Sequence, residues 1–247
     1  MPLVLNNVSY TYDVGTSFEK SALTDISLSI ASGSFVGLAG TSGSGKTTLV
    51  RLLKGLIKPS SGTISGLDFS KVGLVFQYPE NQLFEATVLK DVMFGPLNLG
   101  FEPSKARAMA LDALSTMGFD ASFYNRDPLF LSGGEKRRVA IAGTLAMKPE
   151  VLILDEPTAG LDWQMQEQLF SVLHKLNLAG KTIILVSHNM DDIALHCKQV
   201  IMLQEGRLLA SGSVAEVFNN PKVKLLPSLV QISRKFEKMY SWGCKMG

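Results

Sequence analysis

The run Gly40 to Thr48, GTSGSGKTT, is where this chain can hold phosphate. It fits the spacing G-x-x-x-x-G-K-[ST] in full, after an apolar strand-like run, FVGLAG, and ahead of a helical pattern. Gly40, Gly43 and Gly45, with Thr41, Ser42, Ser44 and Thr48 in the same loop, let backbone N–H groups curl round anionic oxygens. The helix start adds a favourable dipole. Lys46 is expected to reach the terminal phosphates of a nucleotide, and Thr47 to ligate Mg²⁺. A chance glycine-rich turn is the bland alternative, and it requires neither the strand before nor the helix after.

Two carboxylates close the apolar run VLILDEP. Asp155 can hold the hydration shell of Mg²⁺, and Glu156 can polarise water for attack on a γ-phosphate. Alone, Asp-Glu-Pro would more simply end a strand and cap a helix. Downstream of a phosphate loop it joins the same chemistry. His188 ends TIILVSH and Gln77 follows VGLVF, so a parallel sheet would carry both to the carboxyl edge where ligands bind. His188 can donate a hydrogen bond to the γ-phosphate, and Gln77 can meet Mg²⁺ or the attacking water. For each, an ordinary polar residue at a strand end is the alternative.

LSGGEKRRVAIAG supplies a second anion-binding helix start, through Ser132, Gly133 and Gly134. One nucleotide needs only one phosphate loop. If a helical lobe separates the two features, the economical arrangement is a dimer in which Ser132 to Gly134 of one chain closes on ATP held by the other.

The elements that position these residues can be read from periodicity. Continuous apolar strands separated by helices indicate an α/β fold with a parallel sheet covered on both faces. Strand-like runs also fill the first part, through about Ile64. A helix is expected from Lys46 to Leu53, closed by Gly55, and KVGLVFQ is expected to be a buried strand. Residues 104–117 place Ala106, Met109, Ala110, Ala113, Leu114 and Met117 on one helical face. In the tail, Leu229, Ile232, Phe236 and Met239 have helical spacing.

The chain has 247 residues, a formal net charge of +2 and two cysteines, Cys197 and Cys244, without metal-ligand spacing. Near-neutrality argues against a dedicated nucleic-acid binder, and the cysteine usage fits a reducing compartment. No signal peptide is expected, and no run approaches the ~20 apolar residues of a membrane span. The positive mean hydropathy leaves room for a buried partner surface.

In sum of motifs and order, the chain resembles the ATPases of ATP-binding-cassette transporters: phosphate loop, Gln77, LSGGEKRR, LILDEP with AGLD, and His188. The resemblance implies a P-loop NTPase fold with a RecA-like parallel core, an antiparallel β subdomain and a helical signature lobe. It implies an ATPase domain over 1–220, with the lobe at about 80–147, and a helical extension over 221–247. It also implies ATP and Mg²⁺ as ligands, with Tyr12 stacking on adenine (Tyr10 being the other candidate). Glu156 would be the catalytic base, and Asp162 a residue facing the opposite subunit.

A finer resemblance lies in VFQYPENQLFEATVLKDVMFGPLNLG, which is similar to energy-coupling-factor ATPases that bring vitamins or transition-metal ions into prokaryotic cells. It implies a second ATPase subunit (identical or a sister chain), a transmembrane coupling subunit, a substrate-binding membrane subunit, and a place on the cytoplasmic face of the membrane. Glu80 to Phe84 would help form the groove for a coupling helix, with Leu83 and Phe84 exposed. The alternative functions are an importer for another solute, a cassette acting on nucleic acid or ribosomes, and a regulatory cassette without turnover. The chain departs from the pattern in three places. Glu135 stands where most cassettes have glutamine, which would put an extra carboxylate near the opposite nucleotide. SGLDFSKVG is short, and the loop after Tyr12 is long.

Overall fold

A computed structural model describes residues 1–225, so the helical spacing at Leu229, Ile232, Phe236 and Met239 falls outside the described residues. In chain order, β1 (Leu3–Tyr12), β2 (Lys20–Ile30) and β3 (Phe35–Gly40) precede α1 (Lys46–Lys54) and β4 (Ser61–Ser65). Then come β5 (Val72–Val75), α2 (Val88–Asn98), α3 (Pro103–Thr116), α4 (Gly133–Ala146), β6 (Val151–Asp155) and α5 (Trp163–Leu178). The described part closes with β7 (Thr182–Val186), α6 (Met190–His196), β8 (Gln199–Gln204), β9 (Arg207–Ser213), α7 (Val214–Asn219) and α8 (Pro221–Lys224). These elements fall into two compact units, one comprising Met1–Leu67 and the described residues from Ile184 onward, the other Asp68–Ile183.

In the first unit β1 is the centre of an antiparallel sheet ordered β2-β1-β4. Its register runs from Leu3 opposite Ile30 to Tyr12 opposite Lys20. Leu3, Leu5 and Val8 bury one face with Leu23, Ile26 and Ile30. Asn7 lies in the left-handed region, φ 49°, where the register shifts, and the ladder resumes at Val8. The same unit holds residues 184–186 of β7, followed by β3, β8 and β9 as neighbours. β3 pairs parallel with β8, Val36 opposite Gln199 through Gly40 opposite Leu203, and β9 returns antiparallel. Five successive buried residues make β3 a strand covered on both sides. α1 buries Leu49, Val50, Leu52 and Leu53 and ends on left-handed Gly55, whose N–H reaches back to the carbonyls of Arg51 and Leu52.

The second unit pairs β5 parallel with β6, Val72 opposite Val151 through Val75 opposite Leu154. All six residues of the face predicted for α3 are buried, Met117 just beyond its end. α4 contributes Val139, Ile141, Ala142, Leu145 and Ala146 to the interior, and α5 contributes Leu169, Phe170 and Leu173. The expected strand KVGLVFQ is shorter than its apolar pattern. β5 stops at Val75, and Phe76 is 42% exposed. Tyr78 turns left-handed at φ 56° and Pro79, which has no N–H for a ladder, opens a 3-10 turn over Pro79–Gln82.

Candidate functional site

In the first unit, the end of β3 and the start of α1 build the phosphate loop. Gly40 has φ 149°, and a Cβ there would stand 2.3 Å from the Leu203 carbonyl oxygen and 2.5 Å from Ser44 Oγ. Gly45, the N-cap of α1, has φ 101°, and a Cβ would meet the Ala22 carbonyl at 2.7 Å. Only glycine satisfies both positions. β2 and the turn after β8 support the loop from below: Gly206 N–H donates to the Ser44 carbonyl at 3.1 Å and Thr24 N–H to the Gly206 carbonyl at 2.8 Å. Lys46 Nζ donates to the carbonyls of Gly40 at 2.8 Å and Thr41 at 3.0 Å, holding its charge over the loop.

A cavity of about 440 Å³ opens here, walled by Gly43 to Thr48, by Tyr12, by Lys20 to Ala22 and by Glu205 and Gly206. The Tyr12 hydroxyl and Thr48 Oγ1 are 3.2 Å apart, and the Tyr10 ring meets Tyr12 edge-on at 4.8 Å. Tyr12 is therefore the aromatic that reaches the cavity. Sequence reading missed Lys20 and Glu205 as cavity walls. Lys20 could have been found from the β1–β2 register alone, since it sits opposite Tyr12. His188 is exposed just past β7, and Ser187 N–H donates to the Leu38 carbonyl at 3.3 Å, so His188 leaves the sheet at the edge where β3 enters the loop.

The loop's fit to a phosphate shows in Ser44. It is 1% exposed, and among the described residues its hydroxyl is the buried side-chain polar atom without a hydrogen-bond partner. Such a group costs about 1–3 kcal/mol until something satisfies it. Ser44→Ala is accordingly expected to raise nucleotide-free stability by about 1 kcal/mol, roughly 2–4 °C for a chain of this size. The same change should weaken nucleotide binding about tenfold, the worth of a hydrogen bond to a charged group. Thermal melting with and without nucleotide measures both. A lower melting temperature without nucleotide would mean that the hydroxyl already has a partner.

In the second unit, parallel pairing of β5 with β6 sends Gln77, Asp155 and Glu156 out at one carboxyl edge. Asp155 is the last residue of β6 and both carboxylates are half-buried. Glu156 lies at φ 52°, a left-handed conformation that costs a non-glycine residue about 1 kcal/mol or more and is concentrated at functional sites. Asp162 caps α5, accepting from Met165 N–H at 2.8 Å, while Trp163 beside it is 70% exposed.

Ser132 is the N-cap of α4 in a complete capping box: its Oγ accepts from Glu135 N–H at 3.3 Å and donates to Glu135 Oε2 at 2.7 Å. The Ser132 N–H also donates to that carboxylate, at 2.8 Å. These hydrogen bonds, the Ser132 hydroxyl first, hold the Glu135 carboxyl below its ordinary range against slight burial. Glu135 is thus turned back onto its own helix start. With the serine proton given to Glu135, the N–H groups of Gly133 and Gly134 are the donors that this helix start presents to an anion.

A phosphate loop between a parallel strand and the helix that follows it, and an Asp-Glu pair at the carboxyl end of a second parallel strand, are the parts of a P-loop ATPase. Residues 23–159 match the family model described as ABC transporter. The chain is 45% identical over 258 aligned residues to the energy-coupling factor transporter ATP-binding protein EcfA2 of Lactobacillus gasseri, covering 96% of this chain and 90% of that one. To the protein of the same name from Streptococcus pyogenes it is 47% identical, over 88% of this chain and 83% of the other. Among solved structures, cbiO1 of Clostridium perfringens, part of the ABC transporter complex cbiONQ, superposes with a TM-score of 0.79 at 36% identity, covering 95% and 98% of the two chains. A dimeric ATP-binding cassette in a post-hydrolysis state, bound to ADP and Pi, gives 0.74 at 32% identity, covering 86% and 98%.

The chain belongs to the ABC transporter family of ATPases. It binds and hydrolyses ATP as the ATPase module of an importer of the energy-coupling-factor type. Among the described residues no helix is long and apolar enough to cross a membrane.

Proposed function

We propose that the chain works as one of a pair of ATPases, with an identical copy or a sister chain, on the cytoplasmic face of the membrane. The pair drives a transmembrane coupling subunit and a substrate-binding membrane subunit that take up a vitamin or a transition-metal ion. Residues 1–220 form the ATPase domain, with its helical lobe at about 80–147, and 221–247 the extension. Tyr12 stacks on adenine, and the Gly40–Thr48 loop cradles the phosphates with Lys46 and the Ser44 hydroxyl. Mg²⁺, held by Thr47, Asp155 and Gln77, would neutralise charge on the phosphate oxygens. Glu156 orients water and takes its proton, His188 donates to the γ-phosphate, and Ser132, Gly133, Gly134 and Asp162 serve the nucleotide of the opposite chain.

The coupling role rests on an apolar surface just past Gln77. Phe84 is 64% exposed and meets Phe94, itself 41% exposed, edge-on at 4.8 Å. Leu97 and Leu99 are also exposed on the same stretch of chain. Leu83, expected exposed, is half-buried. Asp91 Oδ2 accepts from the N–H groups of Phe84 and Glu85, both at 2.9 Å, and so fixes how Phe84 is presented. Burial pushes the Asp91 carboxyl up despite these two hydrogen bonds. A pinned backbone presenting exposed aromatics is what a helix-receiving groove requires.

Phe84→Ser, which brings no second carboxylate beside Asp91, should leave hydrolysis by the isolated chain within about twofold, since the ring supports no interior packing. Loss of a central aromatic contact should cost about 2 kcal/mol of assembly with the membrane partner, roughly 30-fold, and uptake should fall with it. Co-purification, uptake and ATPase rate are read on the same variant. Normal assembly and uptake would remove this surface from coupling.

A further inference from the structure

Arg137 is a charged side chain with only 3% of its surface exposed, and no assigned role uses it. It lies on α4, five positions after the Ser132 cap. Its guanidinium grips Glu80 with two hydrogen bonds, Nε to Oε2 at 3.2 Å and Nη2 to Oε1 at 3.0 Å. Nη1 donates to the Pro157 carbonyl at 3.1 Å and to the Ala159 carbonyl. One planar cation therefore joins three stretches of backbone. Glu80 follows Gln77 by three residues, Pro157 and Ala159 lie between Glu156 and Asp162, and Arg137 itself belongs to the helix that starts at Ser132.

A guanidinium's donors are fixed in one plane, so it holds its acceptors in a set geometry, unlike the flexible ammonium of lysine. Its burial makes any slippage costly, because a segment that moved alone would leave a charge buried without its partner. The three stretches must then shift together or not at all. A fold staple could lie anywhere in the interior. This one meets each of the three segments that carry Gln77, Glu156 and Ser132.

We propose that Arg137 is a positioning residue for ATP hydrolysis: with Glu80 it locks the segment after Gln77, the loop after Glu156 and the start of α4 into one moving part. The proposal rests on the roles given above to Gln77, Glu156 and Ser132. Displacement of the segment after Gln77 is then transmitted directly to the catalytic loop and to the signature helix, without passing through the sheet.

The test uses the full chain with Arg137→Lys, Glu80→Gln and the double variant, measuring kcat, KM for ATP, equilibrium ATP binding and melting temperature. Each single change should lower kcat on the order of 10- to 100-fold, as a small misplacement of catalytic groups does, with KM and ATP affinity within about twofold. Because both residues serve one link, the double variant should be no slower than the slower single. The effects should survive correction for the folded fraction. A kcat that falls only with the folded fraction, or a double variant whose loss is the product of the singles, overturns the proposal. Glu156→Gln run in parallel separates the two levels. If it keeps turnover, the site assignment fails. If it loses turnover while the Arg137 and Glu80 variants keep theirs, the site stands and the link fails.

Discussion

Glu156→Gln is expected to bind ATP as the parent does and to lose hydrolysis by about 10²–10⁴-fold, the usual contribution of a positioned general base. Glutamine has the shape of glutamate and the same Cβ, so the left-handed backbone at φ 52° is equally strained in both. What changes is the ability to take a proton. An amide oxygen can still accept a hydrogen bond from water, but it cannot hold the proton that water must lose. Asp155, next to it at the strand end, is unchanged and remains available for the Mg²⁺ role proposed for it. Single-turnover hydrolysis and equilibrium binding on one preparation decide the matter. Parent-like turnover in this variant would take Glu156 out of the chemistry, while lost binding would make it part of the nucleotide cradle.

Gly133→Asp is expected to pull stability and activity in opposite directions. Nothing lies within 4 Å of a Cβ built at Gly133, and its φ lies outside the left-handed region, so the folded chain has room for the side chain. An aspartate in the first turn of α4 interacts well with the helix dipole, worth about 0.3–1 kcal/mol. The melting temperature should stay level or rise. Yet, in the shared site proposed above, the carboxylate would stand where Gly133 and Gly134 would offer their N–H groups to the phosphates of the opposite chain. Charge repulsion and the lost donors should cut hydrolysis on the order of 10²-fold, comparable to removing an oxyanion donor. ATP-dependent dimers in the Glu156→Gln background should disappear with it. Ser132→Arg tests the same site less cleanly, because breaking the cap of α4 itself costs about 1 kcal/mol. A Gly133→Asp chain that hydrolyses ATP at the parent rate, or a parent rate per chain independent of protein concentration, would refute the shared site.

The phosphate loop was legible because all its members lie within one short run and the backbone itself demands glycine there, at Gly40 and Gly45. The buried face of α3 was equally plain, since helical periodicity and hydrophobicity act over neighbouring turns. The strand before Gln77 was overextended by its apolar letters. Local chemistry at Tyr78 and Pro79 ended it two residues earlier than its pattern suggested. At Glu135 the sequence marks a departure from the usual glutamine, and the structure adds that the carboxylate closes a capping box with Ser132. Serine followed three residues later by glutamate is the local signature of that box.

By itself, then, the sequence determined which short segments have the backbone to cradle an anion, start helices or form buried strands, because those depend on backbone freedom and on periodicity over a few residues. Only the tertiary structure decided which aromatic reaches the cavity, why Ser44 waits for a partner, and what Arg137 holds. Tyr12 meets Thr48 across 36 residues and Arg137 meets Glu80 across 57. The other two Arg137 acceptors are backbone carbonyls. Every residue has such a carbonyl, so no letter of the sequence marks the ones that packing will bring to a buried charge.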